Sequence, residues 1–401
     1  MSDRAAGRAR GILMLVENLP VPFDRRVWMQ ATTLAAADYP VAVICPRDDD
    51  AAAYEYREGV HIYRYPLRSR AGLLGHVLEY GMALPCTLAL ACVVYARHGF
   101  AVVHGANPPD LFFLIALFFR PLGVRFVFDH HDLMPEICLA RWHGWRQRVL
   151  YRLSRLAEAA TYRCADRVVA TNASYRGMAL ARGGVPPARV VVVRSAPRRD
   201  AFRAVASDPE RRRGATHLVA YLGVMGPNDG LDILLRAVSY VAHDRGRGDV
   251  RFVLVGDGDL RADLVALSIA LRVEAHVCFA GRVPDAELIA IVSSADMCVA
   301  PDPDDPLNRV SSMNKIVEYM ALGKPIVAFD LPETRATAGP AALYAACSTP
   351  AALGDRVLEL LDDPARRAVM ASAARARFET VLAWEHQAPV LLTLYRELLD
   401  R

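Results

Sequence analysis

Lysine is nearly missing from this chain of 401 residues. Only Lys315 and Lys324 stand among 48 basic residues, and the rest are arginine. Arginine serves for lysine on most surfaces, so two ammonium groups within ten residues single out that segment. The eight cysteines form no CxxC pair, and several sit inside apolar runs such as VAVICP and DMCVAP. This excludes a zinc ribbon and a disulfide frame, and fits small buried hydrophobes in a reducing compartment. An excess of one charge is also lacking. A net +4 from 48 basic and 44 acidic residues argues against a dedicated nucleic-acid binder.

Long apolar runs are few. The first, GILMLV, ends at Glu17, too soon for a signal peptide, so a cytoplasmic protein is expected. Tyr80 to Ala96 is uncharged for seventeen residues but contains Pro85 and is closed by Arg97 and His98. That length lies at the lower edge of the roughly 17–25 residues a bilayer span needs, and a transmembrane helix is rejected. Two readings stay open for it: a core helix, or a membrane-facing surface beside Arg64, Arg68 and Arg70.

What is present is alternation. The chain is 53% hydrophobic, enough for sizeable cores, and its length suggests two domains. Short β-branched runs alternate with helical patterns, the signature of parallel sheets with crossover helices. Strands are expected at 11–16, 41–46, 61–66, 101–106, 125–130, 167–172 and 190–195. A polar segment at 196–217 reads as a linker. Strands then resume at 218–224, 251–256, 276–281, 297–301, 325–330 and 341–346. The expected architecture is α/β, with doubly wound domains at 1–200 and 201–376 facing a cleft, and a helical tail at 377–401 packing back on the first.

Ligands of open parallel sheets sit at the carboxyl ends of the strands. ENLPVPFDRR after the first strand has no glycine, which disfavours a dinucleotide site there. In the second half, VMGPNDGLDILLRA places Gly223, Gly226 and Gly230 before a helix, and VLVGDGDL repeats the pattern at Gly256 and Gly258. Such turns offer backbone N–H groups to phosphate oxygens, although each alone is also an ordinary tight turn. In NRVSSMNKIVEYMALGKPIVAFD, Lys315 and Glu318 share one helical face, with Gly323 as the stop. A cation suits a diphosphate and a carboxylate suits two vicinal ribose hydroxyls. The competing reading is an exposed i,i+3 ion pair of little worth.

These motifs together resemble the retaining glycosyltransferases of family 4, glycosyl transferases group 1, with the GT-B fold. The resemblance rests on FDRRVWMQA, HGANPPD, FDHHDLMPE, YLGVMGPNDGLDILLRA, VLVGDGDL, FAGRVPDAEL and KIVEYMALGKPIVAFDLPETR. The last, with DPLNRVSSMN, looks most like a bacterial branch that builds exopolysaccharide, capsule or O-antigen units. It implies a nucleotide-sugar donor, UDP by default and GDP next, in the second domain. A glycan or lipid-linked acceptor would be held mainly by the first, with the protein cytoplasmic or peripheral on the inner membrane face. No cofactor or metal is implied.

Residue by residue, Glu318 matches the second glutamate of the family's Glu-x7-Glu motif, while the first falls at Val310. Asn308, Ser311 and Ser312 stand nearby as substitutes. The usual basic clamp falls near Val224 and Asp229, neither of them basic. Its task then passes to Lys315 with the backbone at Gly223, Gly226 and Gly256, with Arg194 and Arg309 as lesser candidates. Gly281, Arg282 and Val283 are expected near the base. His131 matches the histidine that reaches the donor sugar, where a hydrogen bond would position the anomeric carbon. Asp24, Arg25, His104, Asn107, Asp132 and Glu136 are the acceptor-side candidates; His130 is read as a strand end. Three rivals remain: a metal-dependent transferase using Asp302-Pro-Asp304, here read as a solvated loop like Asp48–Asp50; a nucleotide-sugar epimerase; and a non-catalytic membrane scaffold.

Overall fold

Runs of three to seven residues become strands, most of them apolar and buried on both faces, as parallel sheets covered by helices require. In the first half these are β1 (Ile12–Leu15), β2 (Val41–Arg47), β3 (Tyr54–Arg57), β4 (Val60–Pro66), β5 (Val102–Ala106), β6 (Arg125–His130), β7 (Arg167–Ala170) and β8 (Val190–Val192). The structure, a computed structural model, describes residues 10–48, 51–67, 73–142 and 144–399. Asp49, Asp50, Arg68 and Arg70 lie outside the described residues. The sheet order is β3-β4-β2-β1-β5-β6-β7-β8, parallel except for the β3–β4 pair. The sequence reading missed β3, because YEYR is short, charged and largely exposed, as an edge strand tends to be.

The second half repeats the plan with β9 (His217–Leu222), β10 (Val250–Val255), β11 (Val277–Gly281), β12 (Met297–Ala300), β13 (Ile326–Phe329) and β14 (Ala342–Ala345). Their order is β11-β10-β9-β12-β13-β14. Alternate residues serve two cores: Val219, Tyr221, Phe252 and Leu254 face one helical layer, and Leu218, Ala220, Val253 and Val255 the other. Strand order reverses between β1 and β5 in one sheet and between β9 and β12 in the other. Those two switch points are where the crossovers diverge and leave a crevice at the strand ends.

The chain forms two compact units, residues 1–194 with 387–401, and 195–386. The first boundary falls six residues before the expected one, and the supposed linker is fastened to the second unit. Phe202 lies in its core, Ser293 and Ser294 accept from the backbone of Val205 and Asp208, and Arg211 and Arg212 pair with Glu287 and Asp296. The second boundary falls later than residue 377, because Phe378, Leu382 and Ala383 are also core residues of the second unit. From Gln387 on, the helix Trp384–Leu399 belongs to the first unit, where Tyr395 is fully buried.

The apolar stretch 80–96 lies in the helix Leu73–Arg97, with Pro85 inside it. Ala83, Thr87, Ala91 and Val94 form its buried stripe, while Met82 and Val93 are exposed. No helix among the described residues is long and apolar enough to cross a membrane. Arg64 cannot flank a membrane surface. It is buried, donating to the carbonyls of Val21 and Ala52 and pairing with Glu55 at 2.7 Å.

The first unit is tied together by a charged pair that the sequence reading overlooked. Arg26, at the start of the helix Arg25–Ala36, donates through Nε and Nη2 to the two oxygens of Asp129 in β6, at 3.0 and 2.6 Å. Its Nη1 donates to the Val193 carbonyl beyond β8, and Gln30 donates a further bond to Asp129 at 2.8 Å. Burial alone would raise the Asp129 pKa, but Arg26, with His104 and His131 nearby, holds it well below the usual carboxylate range. Removing one partner of such a pair leaves an uncompensated buried charge, at a cost of about 3–5 kcal/mol. Arg26→Leu is therefore expected to lower the denaturation midpoint strongly, while Arg25→Leu at the exposed neighbour changes it little.

Candidate active-site residues

In the second unit the chain leaves β9 into the loop Gly223–Gly230. A β-carbon at Gly256, where φ is +131°, would overlap the Gly223 carbonyl, and one at Gly230, φ +65°, would overlap that of Pro301. These glycines let the ends of β9, β10 and β12 close on one another. Gly226 N donates to Asp229 Oδ2 at 3.2 Å, so this amide serves the loop's own geometry.

Lys315 occupies the second position of the helix Asn314–Ala321 and is buried. Its Nζ lies 2.7 Å from Asp302 Oδ1, 3.3 Å from Asp229 Oδ1, 3.4 Å from the Tyr221 hydroxyl and 4.9 Å from the Tyr221 ring centroid. Burial works against the ammonium, yet Asp302, Tyr221 and Asp229 outweigh it and raise its pKa. Burial raises the Asp302 pKa, with Lys315 pulling the other way. This corrects one expectation and bears on another. Asp302 is no solvated loop residue, and the positive charge reserved for a diphosphate is already matched by two carboxylates. Asp304 is exposed and pairs with Arg309 at 3.0 Å. Among the described residues no group of three or more His, Cys, Asp or Glu could hold a metal ion.

Lys324 has another task. It donates to the carbonyls of Ser293 and Ala295 at 2.6 and 2.8 Å, closing the end of the helix Asp285–Ser294. Glu318, one turn after Lys315, is half-buried. Asn308 is a loop fastener, its Nδ2 donating to the carbonyls of Asn228 and Pro303 and to Asp305 Oδ2. Gly281 ends β11, with Arg282 exposed and Val283 packed at the edge of a core cluster.

In the first unit the switch point is organised by Asn107, just beyond β5. Its Oδ1 accepts from the backbone N–H of His131 and Asp132 at 2.8 and 3.1 Å, while its Nδ2 donates to Asp110 and to the Asp132 carbonyl. Asn107 thus fixes the turn carrying His131. The His131 Nε2 is buried and has no hydrogen-bond partner among the described residues. Burial raises the Asp132 pKa.

Several acceptor-side expectations meet a different outcome. Asp24 caps the helix Arg25–Ala36, accepting from Val27 N at 2.9 Å. His104 is fully buried, with Nδ1 2.6 Å from the Tyr395 hydroxyl and Nε2 3.4 Å from Asp129. Glu136 pairs with Arg182 at 2.5 Å, and Arg182 also holds the buried Glu158. His130 shares a 2.8 Å bond with Tyr162, and burial with the nearby Arg182 and His131 lowers its pKa to about 3.

Asp110 in this cluster is pushed up to about 8 by burial and then by Glu158, with Asn107 and Arg182 opposing. The folded chain keeps a proton there that the unfolded chain releases near the ordinary aspartate value of 3.8. Its contribution to stability is complete below that value and is lost as pH rises to about 8. Asp110→Asn should flatten this decline. The melting temperature of the variant relative to the wild type is expected to be higher at about pH 8.5 than at about pH 5.

Residues 24–196 match a glycosyl transferase 4-like domain model, and residues 216–363 match a model described as glycosyl transferases group 1. D-inositol 3-phosphate glycosyltransferase 1 from Catenulispora acidiphila is 28% identical over 256 residues, 61% of this chain and 60% of that protein. The chain thus spans about three-fifths of the length of that relative. Sucrose-phosphate synthase from Thermosynechococcus elongatus superposes with a TM-score of 0.78 at 19% identity, over 98% of this chain and 99% of the other. Anabaena HepE in complex with UDP gives 0.68 at 15% identity, over 97% and 98%. The chain therefore carries a glycosyl transferase 4-like domain followed by a glycosyl transferases group 1 domain, on a GT-B fold.

Proposed function

We propose that the chain is a retaining, metal-independent glycosyltransferase. It moves a hexosyl group from a nucleoside-diphosphate sugar to a glycan or lipid-linked acceptor in surface-polysaccharide synthesis. The observation that carries this reading is the tandem of two glycosyltransferase domains, with Glu318 and the glycine loop at the switch point of the second. The UDP bound in HepE supports uridine as the first base to test.

In the proposed reaction Glu318 accepts from the ribose hydroxyls and the backbone of the Gly223, Gly226 and Gly256 turns faces the diphosphate. Gly281, Arg282 and Val283 border the base. His131 Nε2 bonds a sugar hydroxyl and positions the anomeric carbon. The bond from that carbon to the diphosphate breaks, a bond to the acceptor oxygen forms on the same face, and the acceptor's proton passes to the departing diphosphate. Lys315 acts by holding Asp302 and Asp229, and through them the glycine loop. One observation favours a second reading, the nucleotide-binding scaffold: the only lysine at the loop is matched by two carboxylates.

Thermal shift with UDP, GDP, ADP and NAD, in chelator and then with magnesium or manganese, tests the donor side. Stabilisation by one nucleoside diphosphate in chelator is expected. A shift only with metal favours the metal-dependent rival, and a shift with NAD alone overturns the reading. Glu318→Ala should weaken that nucleotide about tenfold or more. Lys315→Ala should lower the ligand-free melting point itself, since Asp302 is left buried without its cation. Product formation from a nucleotide sugar and a lipid-linked acceptor then separates transferase from scaffold.

A further inference from the structure

Two buried side chains, Asn107 and Asp110, stand behind the turn that carries His131. Asn107 uses all four hydrogen-bonding positions of its amide. Two accept from the N–H groups of His131 and Asp132, one donates to the Asp132 carbonyl at 2.6 Å, and one donates to Asp110 Oδ1 at 2.9 Å. Asp110 is therefore the side chain on which this amide rests. Its own backbone is held in turn by Thr161, whose hydroxyl donates to the Asp110 carbonyl at 2.9 Å. The second carboxyl oxygen, Oδ2, is buried and has no hydrogen-bond partner among the described residues. The titratable groups around Asp110 come from every element packed on it. They are Glu158 and Tyr162 of the helix Gly144–Cys164, Asp132 past β6, Cys138 of the helix Met134–Arg141, and Arg182 after the helix Ala173–Ala181. Arg182, the cation among them, is already shared between Glu136 and Glu158. His130, 4.0 Å from Glu158, is kept neutral by its burial and adds no second positive charge. The Asn107 N–H favours an ionised Asp110, but burial and Glu158 weigh more and raise its pKa to about 8.

We propose that Asp110 is a positioning residue: protonated, it anchors Asn107 and with it the turn that presents His131, and ionised, it releases that turn. Loss of the proton to water leaves a buried charge beside Glu158 and Asp132. The carboxylate lowers that cost by turning toward Arg182 or toward water. Either movement draws it away from the Asn107 amide. That amide has no spare position, so it regains a partner only by giving up the N–H groups of His131 and Asp132. The consequence for rate rests on the proposed contact of His131 with the donor sugar, but the coupling itself needs no ligand.

The test is backbone amide NMR of the full chain without ligand, from about pH 6 to about pH 9.5. The His131 and Asp132 signals should move together through one titration step near pH 8. In Asp110→Asn, which keeps an oxygen for Asn107 and has no proton to lose, the step should vanish. Cys138→Ser should keep it, which separates the carboxyl from the neighbouring thiol. Melting temperatures taken at each pH restrict the comparison to folded protein. With UDP-glucose as the donor probe and UDP release as the readout, wild-type kcat should fall about tenfold between about pH 7 and about pH 9. The fall should appear in kcat rather than in KM, and Asp110→Asn should lack it. Absence of a step at His131 and Asp132 overturns the proposal, as does a step that persists in Asp110→Asn. An amide step accompanied by a flat kcat overturns the positioning role. An amide step that Asp110→Asn removes, with no UDP release at any pH, supports the coupling and counts against the uridine donor, so the two failures are distinguishable.

Discussion

A carboxylate buried at the carboxyl end of a parallel strand has to be given a cation by the chain itself, and each unit is arranged around one such debt. In the first unit Asp129 of β6 is answered by Arg26, and in the second Asp302, just past β12, is answered by Lys315. Both cations stand at the second position of a helix. A positive charge there opposes the helix dipole, a cost of about 0.3–1 kcal/mol. Leaving either carboxylate alone in the interior costs several times more, so the buried pair decides where the first turn of each helix lies. The choice of cation follows from geometry. Asp129 and the Val193 carbonyl lie in different directions and suit the fork of a guanidinium, whereas Asp302, Asp229 and the Tyr221 hydroxyl surround one point and suit an ammonium.

This explains what was legible in the sequence and what was not. The glycine loop and the helix Asn314–Ala321 could be read, because glycine punctuates the backbone and Lys315, Glu318 and Leu322 keep helical spacing. The rarity of lysine drew attention to Lys315 but did not show its partners, since one thirteen positions away in a DPDD loop looks solvated until its burial is known. Lys324 drew the same attention and turns out to close a helix end. The FDRR motif shows the same gap. Asp24 and Arg25 looked functional, yet Arg26 and Gln30 lie beside the apolar positions Val27 and Ala31, and that spacing alone could have placed them on the inner face. His104 stands in a motif at a strand end, but only the fold brings Tyr395 from 291 residues away to fill its Nδ1.

Asn107 shows how a polar residue at a switch point can work without touching a ligand. One amide oxygen collects two consecutive backbone N–H groups, and its nitrogen joins Asp110 and the Asp132 carbonyl. A turn fixed by three bonds to one side chain, itself anchored on Asp110, has little freedom left, so His131 is presented at a set position before anything binds. Around it Asp129 is held by Arg26, Arg182 holds both Glu136 and Glu158, and His130 Nδ1 shares a bond with Tyr162. The His131 Nε2 stands apart from that network.

The charge inventory at the glycine loop bears directly on the proposed donor site. A diphosphate brought to one ammonium and two carboxylates meets no surplus of positive side-chain charge. The N–H groups of Gly223, Gly226 and Gly256 are themselves engaged, by the Val255 carbonyl, Asp229 and the Gly281 carbonyl. The attraction must then come from neighbouring amides of these turns or from loosening of the Lys315 pair. Loosening exposes Asp302 to burial without its cation, which favours its protonated form, consistent with the direction in which its pKa is already displaced. The two motif residues on one helical face are thereby separable in the proposed reaction. Under that proposal Glu318 acts on the ligand, while Lys315 keeps the loop in the shape that the ligand meets.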